Sequence, residues 1–398
     1  MKATDSHPAM SRLRLQKGRL KRVLSGHPWV FSNELQDVPD LPPGSLVAID
    51  DPGGEPLGVG YFNPATLIAV RWLQRGQEAL PEHWVEERVR AAVAKRDAYY
   101  PREKCVRLVY GEADGLPGVI ADRYGEAVVL QVSTAGAELA RSRVEAALRE
   151  TCAPTLFVRK DDSPMRDLEG LPRAVEVLPP GAEPSAHVQY LGLSLDVPLA
   201  EGQKTGLFLD QRENVKTFVN YVKKDVKVLD VFCYLGAWGL AALKAGASSC
   251  EFVDASLQAC QRLEASLKTN ALPDCEIHNG DAFDVLAALR REGKSFGAVV
   301  VDPPAFAKSK KHLTEAVKAY RRLNELAMAL VEPGGLLVSC SCSYHLGREE
   351  FREVLKESAA RSRRQAVLLE SRGQAPDHPV LLNFPEGEYL KAFFLRLS

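Results

Sequence analysis

The sequence predicts a multidomain α/β protein: a small β-barrel, a central α+β domain and a C-terminal Rossmann-like domain. Three observations carry this. The 398 residues exceed what one hydrophobic core ordinarily fills. Short β-rich runs punctuated by Gly, Pro and Asp crowd the first segment, 11–78. From residue 226 onward, apolar strand-like runs alternate regularly with helical patterns.

In 11–78, Ser45 to Asp50 reads as a strand, Asp51-Pro52-Gly53-Gly54 as a turn, and Leu57 to Phe62 as the returning strand. Leu67 to Leu73 follows as another strand. The segment 79–190 begins with a helix from Pro81, because Val85, Val89, Ala92 and Val93 recur at helical spacing. Paired strands near 108–110, 119–120 and 127–132 follow, with a helix at about 137–150.

In 191–398 the strands are Val226 to Phe232, Cys250 to Val253, Glu276 to His278, Phe296 to Val301 and Leu336 to Cys340. Helices are expected at Trp238 to Lys244, Ser256 to Asn270, 282–291 and Glu315 to Leu330. One more helix and two late strands complete the segment. Repeated βα units imply a mostly parallel, doubly wound sheet.

Composition narrows the function. The 51 Lys+Arg nearly cancel 52 Asp+Glu, leaving a net charge of −1, so bulk charge does not coat nucleic acid. Eight cysteines include no C-x-x-C pair and no Cys/His run with zinc spacing, which argues against a metal site and for a reducing cytosol. The longest uncharged apolar stretch, Val231 to Leu243, has 13 residues, short of the roughly 18 that span a bilayer. MKATDSHPAM lacks the apolar core of a secretory signal. A cytoplasmic protein without membrane association is expected.

In a doubly wound sheet, ligands sit beyond the carboxyl ends of the strands. The first strand ends in Asp230-Val-Phe-Cys-Tyr-Leu-Gly236-Ala-Trp-Gly239, which is not G-x-G-x-x-G, so a nucleoside without a pyrophosphate is favoured. The next three strands end in Asp254, Gly280-Asp281 and Asp302-Pro303-Pro304. One acid after each of four successive strands is the pattern of S-adenosylmethionine-dependent methyltransferases. Helix N-capping is the competing explanation for any one of them.

The fifth strand ends in Ser339-Cys340-Ser341-Cys342-Ser343, and alternation places Cys340 and Cys342 on one face if the strand stays regular. A thiol at the mouth of such a cleft suits pyrimidine chemistry. Carbon 5 of cytosine is a poor nucleophile until a thiolate adds at carbon 6. Asp302 can hold the cytosine edge. Amino-group methylation uses an aromatic ring directly after the two prolines; here Ala305 intervenes and Phe306 comes one place late.

The chain resembles the RlmI/RlmO family of large-subunit ribosomal RNA cytosine-5 methyltransferases over roughly 11–398. The resemblance rests on Gly26-His-Pro-Trp-Val-Phe31, Gly111-Glu-Ala-Asp-Gly-Leu-Pro-Gly118 and, most specifically, Lys204-Thr-Gly-Leu-Phe-Leu-Asp-Gln-Arg212. Asp302-Pro-Pro304, Ser341-Cys-Ser343, Asp377-His-Pro379 and Pro385-Glu-Gly-Glu-Tyr-Leu-Lys391 extend it. It implies a PUA-like RNA-binding domain (11–78), a central domain (79–190) and a class I methyltransferase domain (191–398).

The family's nucleophile falls on Cys342. Its cofactor loop falls on Lys204, Thr205, Gly206, Phe208, Asp210, Gln211 and Arg212, beside Asp230, Gly236, Asp254, Asp281 and Asp302. S-adenosyl-L-methionine is the implied cofactor and 23S ribosomal RNA the implied partner. Ala305 stands where related enzymes carry a second cysteine, which leaves Cys340, Lys308 or an ordered water to take the carbon-5 proton.

Ser11 to Val23 carries Arg12, Arg14, Lys17, Arg19, Lys21 and Arg22 and no acid. With Trp29 and Phe31 nearby it reads as a phosphate-tracking surface. Lys308, Lys310 and Lys311 follow the Asp-Pro-Pro loop as a second RNA contact. An exocyclic-amino methyltransferase and a non-catalytic ribosome-assembly factor are the alternatives, and a homodimer is compatible with the sequence.

Overall fold

The computed structural model describes residues 10–18, 20–76, 79–307 and 309–398. The described chain divides into two compact units. The first takes the residues up to Ala186 with Val197–Gly206 and Asp377–Pro385; the second takes His187–Asp196, Leu207–Pro376 and Glu386–Ser398.

In the first unit, β1 (Ser11–Arg14), β2 (Trp29–Val30), β3 (Ser45–Asp50), β4 (Pro56–Phe62) and β5 (Val70–Arg75) form a sheet in the order β1-β3-β4-β5-β2. Leu13, Val47, Ile49, Phe62, Val70 and Trp72 supply its core. The β3–β4 turn closes on Asp51, whose Oδ1 accepts from Gly53 and Glu55 N–H at 2.7 and 2.9 Å. β5 starts at Val70, later than expected, because Thr66 donates to Ile68 O at 2.7 Å and keeps Leu67 in an exposed turn.

A second sheet, β10-β9-β8-β7-β6, is built from β6 (Cys105–Tyr110), β7 (Val119–Tyr124), β8 (Ala127–Val132), β9 (Leu156–Asp161) and β10 (Ala174–Leu178). The helices of this unit are α1 (Leu20–Leu24), α2 (Trp84–Tyr99), α3 (Ala135–Leu139), α4 (Arg141–Cys152) and α5 (Met165–Leu168). α2 and α4 set Val85, Val89, Val144 and Leu148 into the core of the second sheet. The helix expected at about 137–150 is two, α3 and α4. A two-stranded hairpin, β11 (Ser185–Tyr190) and β12 (Leu193–Pro198), follows in the chain.

The second unit holds β13 (Lys227–Val231), β14 (Ser249–Asp254), β15 (Glu276–Asn279), β16 (Phe296–Val301), β17 (Val331–Ser341), β18 (Ala366–Arg372) and β19 (Lys391–Leu397). They form one sheet in the order β15-β14-β13-β16-β17-β19-β18, parallel through β17 and antiparallel at the last two strands. Its helices are α6 (Arg212–Tyr221), α7 (Ala237–Lys244), α8 (Leu257–Thr269), α9 (Ala282–Arg291), α10 (Leu313–Leu330) and α11 (Arg348–Arg361). Among the described residues, no helix is long and apolar enough to cross a membrane.

β13 lies between β14 and β16, so the strand order reverses there and opens the crevice typical of such sheets. Register aligns the exits: Val231 pairs with Val253 on one side and Val301 on the other. Phe232, Asp254 and Asp302 therefore leave the sheet at one level.

Two features hold α7 against the sheet. Gly239 sits so close that a Cβ there would lie 2.3 Å from the Phe252 ring and 2.6 Å from Cys250 Sγ. Asp230, wholly buried in β13, accepts the Gly239 N–H at 2.9 Å. Burial raises the Asp230 carboxyl to about 7 against the lowering pull of that N–H, and the Asp302 and Asp254 charges raise it further.

Gly239→Ala is expected to cost about 1–3 kcal/mol through overpacking, read from urea denaturation. The raised Asp230 carboxyl keeps in the folded state a proton that the unfolded chain has released. Its contribution to stability is full at acid pH and is lost as pH rises toward about 7. Asp230→Asn should therefore flatten the fall in unfolding free energy between about pH 4 and about pH 7 relative to the parent, measured by the same melts.

Candidate active site

The chain leaves β13 through a tight loop. Phe232, Tyr234 and Gly236 have φ of 62°, 50° and 78°, left-handed conformations that only the glycine adopts without strain. Hydrogen bonds hold the two strained residues. Val253 O accepts from Phe232 and Cys233 N–H at 2.8 and 3.1 Å, and Asp254 Oδ2 accepts from Tyr234 N–H at 2.8 Å. The other Asp254 oxygen accepts from Ser256 N–H at 2.8 Å.

This loop walls a cavity with the Leu207–Val215 segment and Asp302. Its aromatic lining is Tyr190, Phe208, Phe232, Tyr234 and Trp238, with Phe208 and Tyr234 meeting edge-on at 5.5 Å. Asp302 Oδ2 receives Gln211 Nε2–H at 2.9 Å and Trp238 Nε1–H at 3.3 Å. Gln211 is oriented in turn by Asn214, which donates to its Oε1 at 2.6 Å.

The residues singled out from the sequence divide accordingly. Phe208, Gln211 and Asp302 line the cavity. Gly236 forms the turn, Asp230 lies beneath it and Asp254 clamps it. Asp210 is buried and accepts the Tyr389 hydroxyl at 2.5 Å, while the buried Arg212 lies over the Tyr190 ring at 5.7 Å.

Asp281 is an exposed N-cap of α9, accepting from Phe283 and Asp284 N–H at 2.9 and 3.3 Å. Lys204, Thr205 and Gly206 belong to the first unit. There the buried Thr205 hydroxyl donates to Asp122 at 2.5 Å and bonds Tyr124 at 2.9 Å, and Lys204 is exposed.

The thiols follow strand geometry. β17 ends at Ser341, so Cys342 lies just beyond the last paired residue. Cys340 is fully buried; burial, with the Asp302 charge, pushes its thiol well up and keeps it protonated. Cys342 is partly exposed, with Sγ 3.8 Å from Pro303 O.

Its flanking serines are fixed. Ser341 Oγ donates to the Tyr320 hydroxyl at 3.1 Å, Ser343 Oγ bonds the same hydroxyl at 3.0 Å, and Ser343 Oγ accepts from Ala307 N–H at 3.2 Å. The buried Lys391 donates to Ser343 O at 2.6 Å and Tyr389 O at 2.9 Å. The aromatic lining from Tyr234 and Trp238 stands beside Gly236 and Gly239 in sequence, whereas Lys391 is marked there only as the end of the 385–391 motif, without a place in this corner.

Among the basic residues, Arg12 pairs with Asp50 at 2.8 Å and Arg22 with Glu34. Arg14, Lys17, Lys21 and Lys311 are exposed. Arg19 and Lys308 lie outside the described residues, as does the side chain of Lys310.

A PUA-like domain model matches residues 13–75, and an S-adenosylmethionine-dependent methyltransferase model matches 174–396. The chain is 37% identical over 389 residues to the ribosomal RNA large subunit methyltransferase I of Photobacterium profundum, covering 95% of this chain and 97% of that one. It is 36% identical over 395 residues to the protein of that name from Shewanella denitrificans, covering 97% and 99%. A solved SAM-dependent methyltransferase from Streptococcus mutans superimposes with a TM-score of 0.82 at 20% identity, covering 97% of this chain and all of that one, which shows a shared fold. The chain is an enzyme of the S-adenosylmethionine-dependent methyltransferases and belongs to the ribosomal RNA large subunit methyltransferase I family.

Proposed function

We propose that this enzyme methylates carbon 5 of a cytosine in large-subunit ribosomal RNA, with Cys342 as the nucleophile and Asp302 holding the base. One observation carries the reading. The Cys342 thiol lies 3.8 Å from Pro303 O, next in the chain to the Asp302 that lines the cavity. The relatives' names supply the substrate class.

The residues fit an adenosyl sulfonium. The rings of Phe208, Phe232, Tyr234 and Trp238 offer flat apolar and π faces. Asp254 keeps acceptor capacity for hydroxyls beyond its two backbone bonds. When bound, S-adenosylmethionine supplies an electrophilic methyl group. The Cys342 thiolate adds at carbon 6 of cytosine, pushing the electron pair to carbon 5, which takes the methyl group as its bond to the sulfonium breaks and that sulfur keeps the bonding pair. Loss of the carbon-5 proton to a base then returns the pair and expels the thiolate. Asp302, steadied by Gln211 and Trp238, holds the base edge and favours protonation at N3 as the adduct forms.

Carbon rather than amino-group methylation is supported by Phe306. Its ring packs 4.6 Å from Tyr320 in the sheet core, in a cluster with Phe232 and Phe283. The domain scheme 11–78, 79–190 and 191–398 assigns RNA contact to Arg14, Lys17 and Lys21 in the first segment and Lys311 near the catalytic corner. A cytoplasmic site of action follows from a ribosomal substrate.

Cys342→Ser should bind S-adenosylmethionine with the parent's affinity by calorimetry, yet lose methyl transfer to ribosomal RNA by roughly a thousandfold or more. Nucleoside analysis of the parent's product should give 5-methylcytidine; undiminished transfer by the variant would sink the covalent route. Lys17→Glu with Lys21→Glu should weaken binding of a ribosomal RNA fragment. It should also lower the slope of log affinity against log salt by about one for each phosphate that is no longer neutralised, read by filter binding.

A further inference from the structure

The corner that holds Cys342 contains a buried cation with no role in the chemistry above. Lys391 opens β19, and antiparallel register sets it opposite Ser341, the last paired residue before the thiol. Its ammonium has three hydrogens. One goes to Ser343 O at 2.6 Å, immediately after Cys342, and one to Tyr389 O at 2.9 Å. Only 3% of the residue is exposed.

A lysine so buried loses most of its hydration, and two neutral carbonyls return only part of it. An anion nearby would complete its surroundings, and the Cys342 sulfur is the group between the two anchored serines. We infer that Lys391 is a positioning residue for methyl transfer: its ammonium, fixed to the turn that carries the thiol, holds Cys342 as the thiolate. The inference rests on Cys342 being the nucleophile. In this step the sulfur releases its proton to water, keeps the electron pair, and remains beside a charge that neither gains nor loses a proton at neutral pH.

The groups facing Lys391 agree. Burial is the largest influence and brings the amine down to about 8. The charge of Cys342 raises it, Arg348 lowers it, and Glu388 and Glu350 raise it. The cation therefore persists at neutral pH and fades above it, taking the thiolate's support with it.

A purely structural tie between β19 and the turn would need no charge at the thiol, and alkylation separates the two. The full-length protein is treated with iodoacetamide across a pH series, and modification of Cys342 is followed by tandem mass spectrometry, with Cys342→Ser as the blank. The parent should react with an inflection below the ordinary thiol value of about 8.5. Lys391→Met should move the inflection upward and slow alkylation at neutral pH roughly tenfold or more, while Lys391→Arg keeps the parent's profile.

A Lys391→Met profile that superimposes on the parent's, or a Lys391→Arg profile displaced equally, overturns the inference. If Lys391→Met fails to fold, judged by lost S-adenosylmethionine binding, the arginine variant decides: a low inflection supports the inference and an ordinary one overturns it. Because the readout needs no methyl transfer, a Cys342→Ser enzyme that still methylates would refute the nucleophile without moving these profiles.

Discussion

The Tyr320 hydroxyl is the group on which the rest of the corner around Cys342 depends. It rises from α10 into the sheet core, fully buried, and takes both Ser341 and Ser343. Ser343 in turn accepts from Ala307 in the loop that follows Asp302. Burial pushes the phenol to about 12, so it stays an O–H across any working pH and never becomes a phenolate in the core. A single neutral hydroxyl thereby ties the exits of β16 and β17 together. A buried network of this kind specifies geometry because each unmet polar group would cost about 1–3 kcal/mol.

What the sequence disclosed follows from how local each signal is. The βα alternation and the apolar runs of β13 and β16 are written in consecutive residues, and the register of those strands brings Asp230, Asp254 and Asp302 to one edge. Asp281 has the same local signature and spends one oxygen, Oδ1, capping α9, the competing use of an acid at that place. At Cys342 local alternation reaches its limit, because a strand's end is decided by its neighbour: pairing with β19 stops at Ser341 opposite Lys391. Lys391 lies 48 residues from Ser343 along the chain, so only the antiparallel return of the last strand could bring it there.

The segment from Lys204 to Arg212 shows how a motif can mix duties. Its first three residues serve the first unit, where Thr205 closes a buried network of Asp122, Tyr124 and Arg107, the arginine donating to Asp122 at 2.8 and 2.7 Å. Its later residues serve the second, where Gln211 steadies Asp302 and Asp210 holds Tyr389. Buried side chains that must pair leave as strong a mark on a sequence as residues that touch a ligand, and spacing alone does not separate them.

The order β17-β19-β18 has a consequence for synthesis. β18 is made before β19 and, among the described residues, pairs with no other strand. On a ribosome the growing chain therefore passes through a stage in which β17 ends the sheet with an open edge, and the Val367 and Leu368 side of β18 has nothing to lie along. Unpaired edges of this kind invite association with other chains. The interval closes only when Lys391–Leu397 slides between two strands already made. The same insertion brings Lys391 to Ser343 O, so in a newborn molecule the turn that carries Cys342 gains its buried cation only after β17 and β18 have been made.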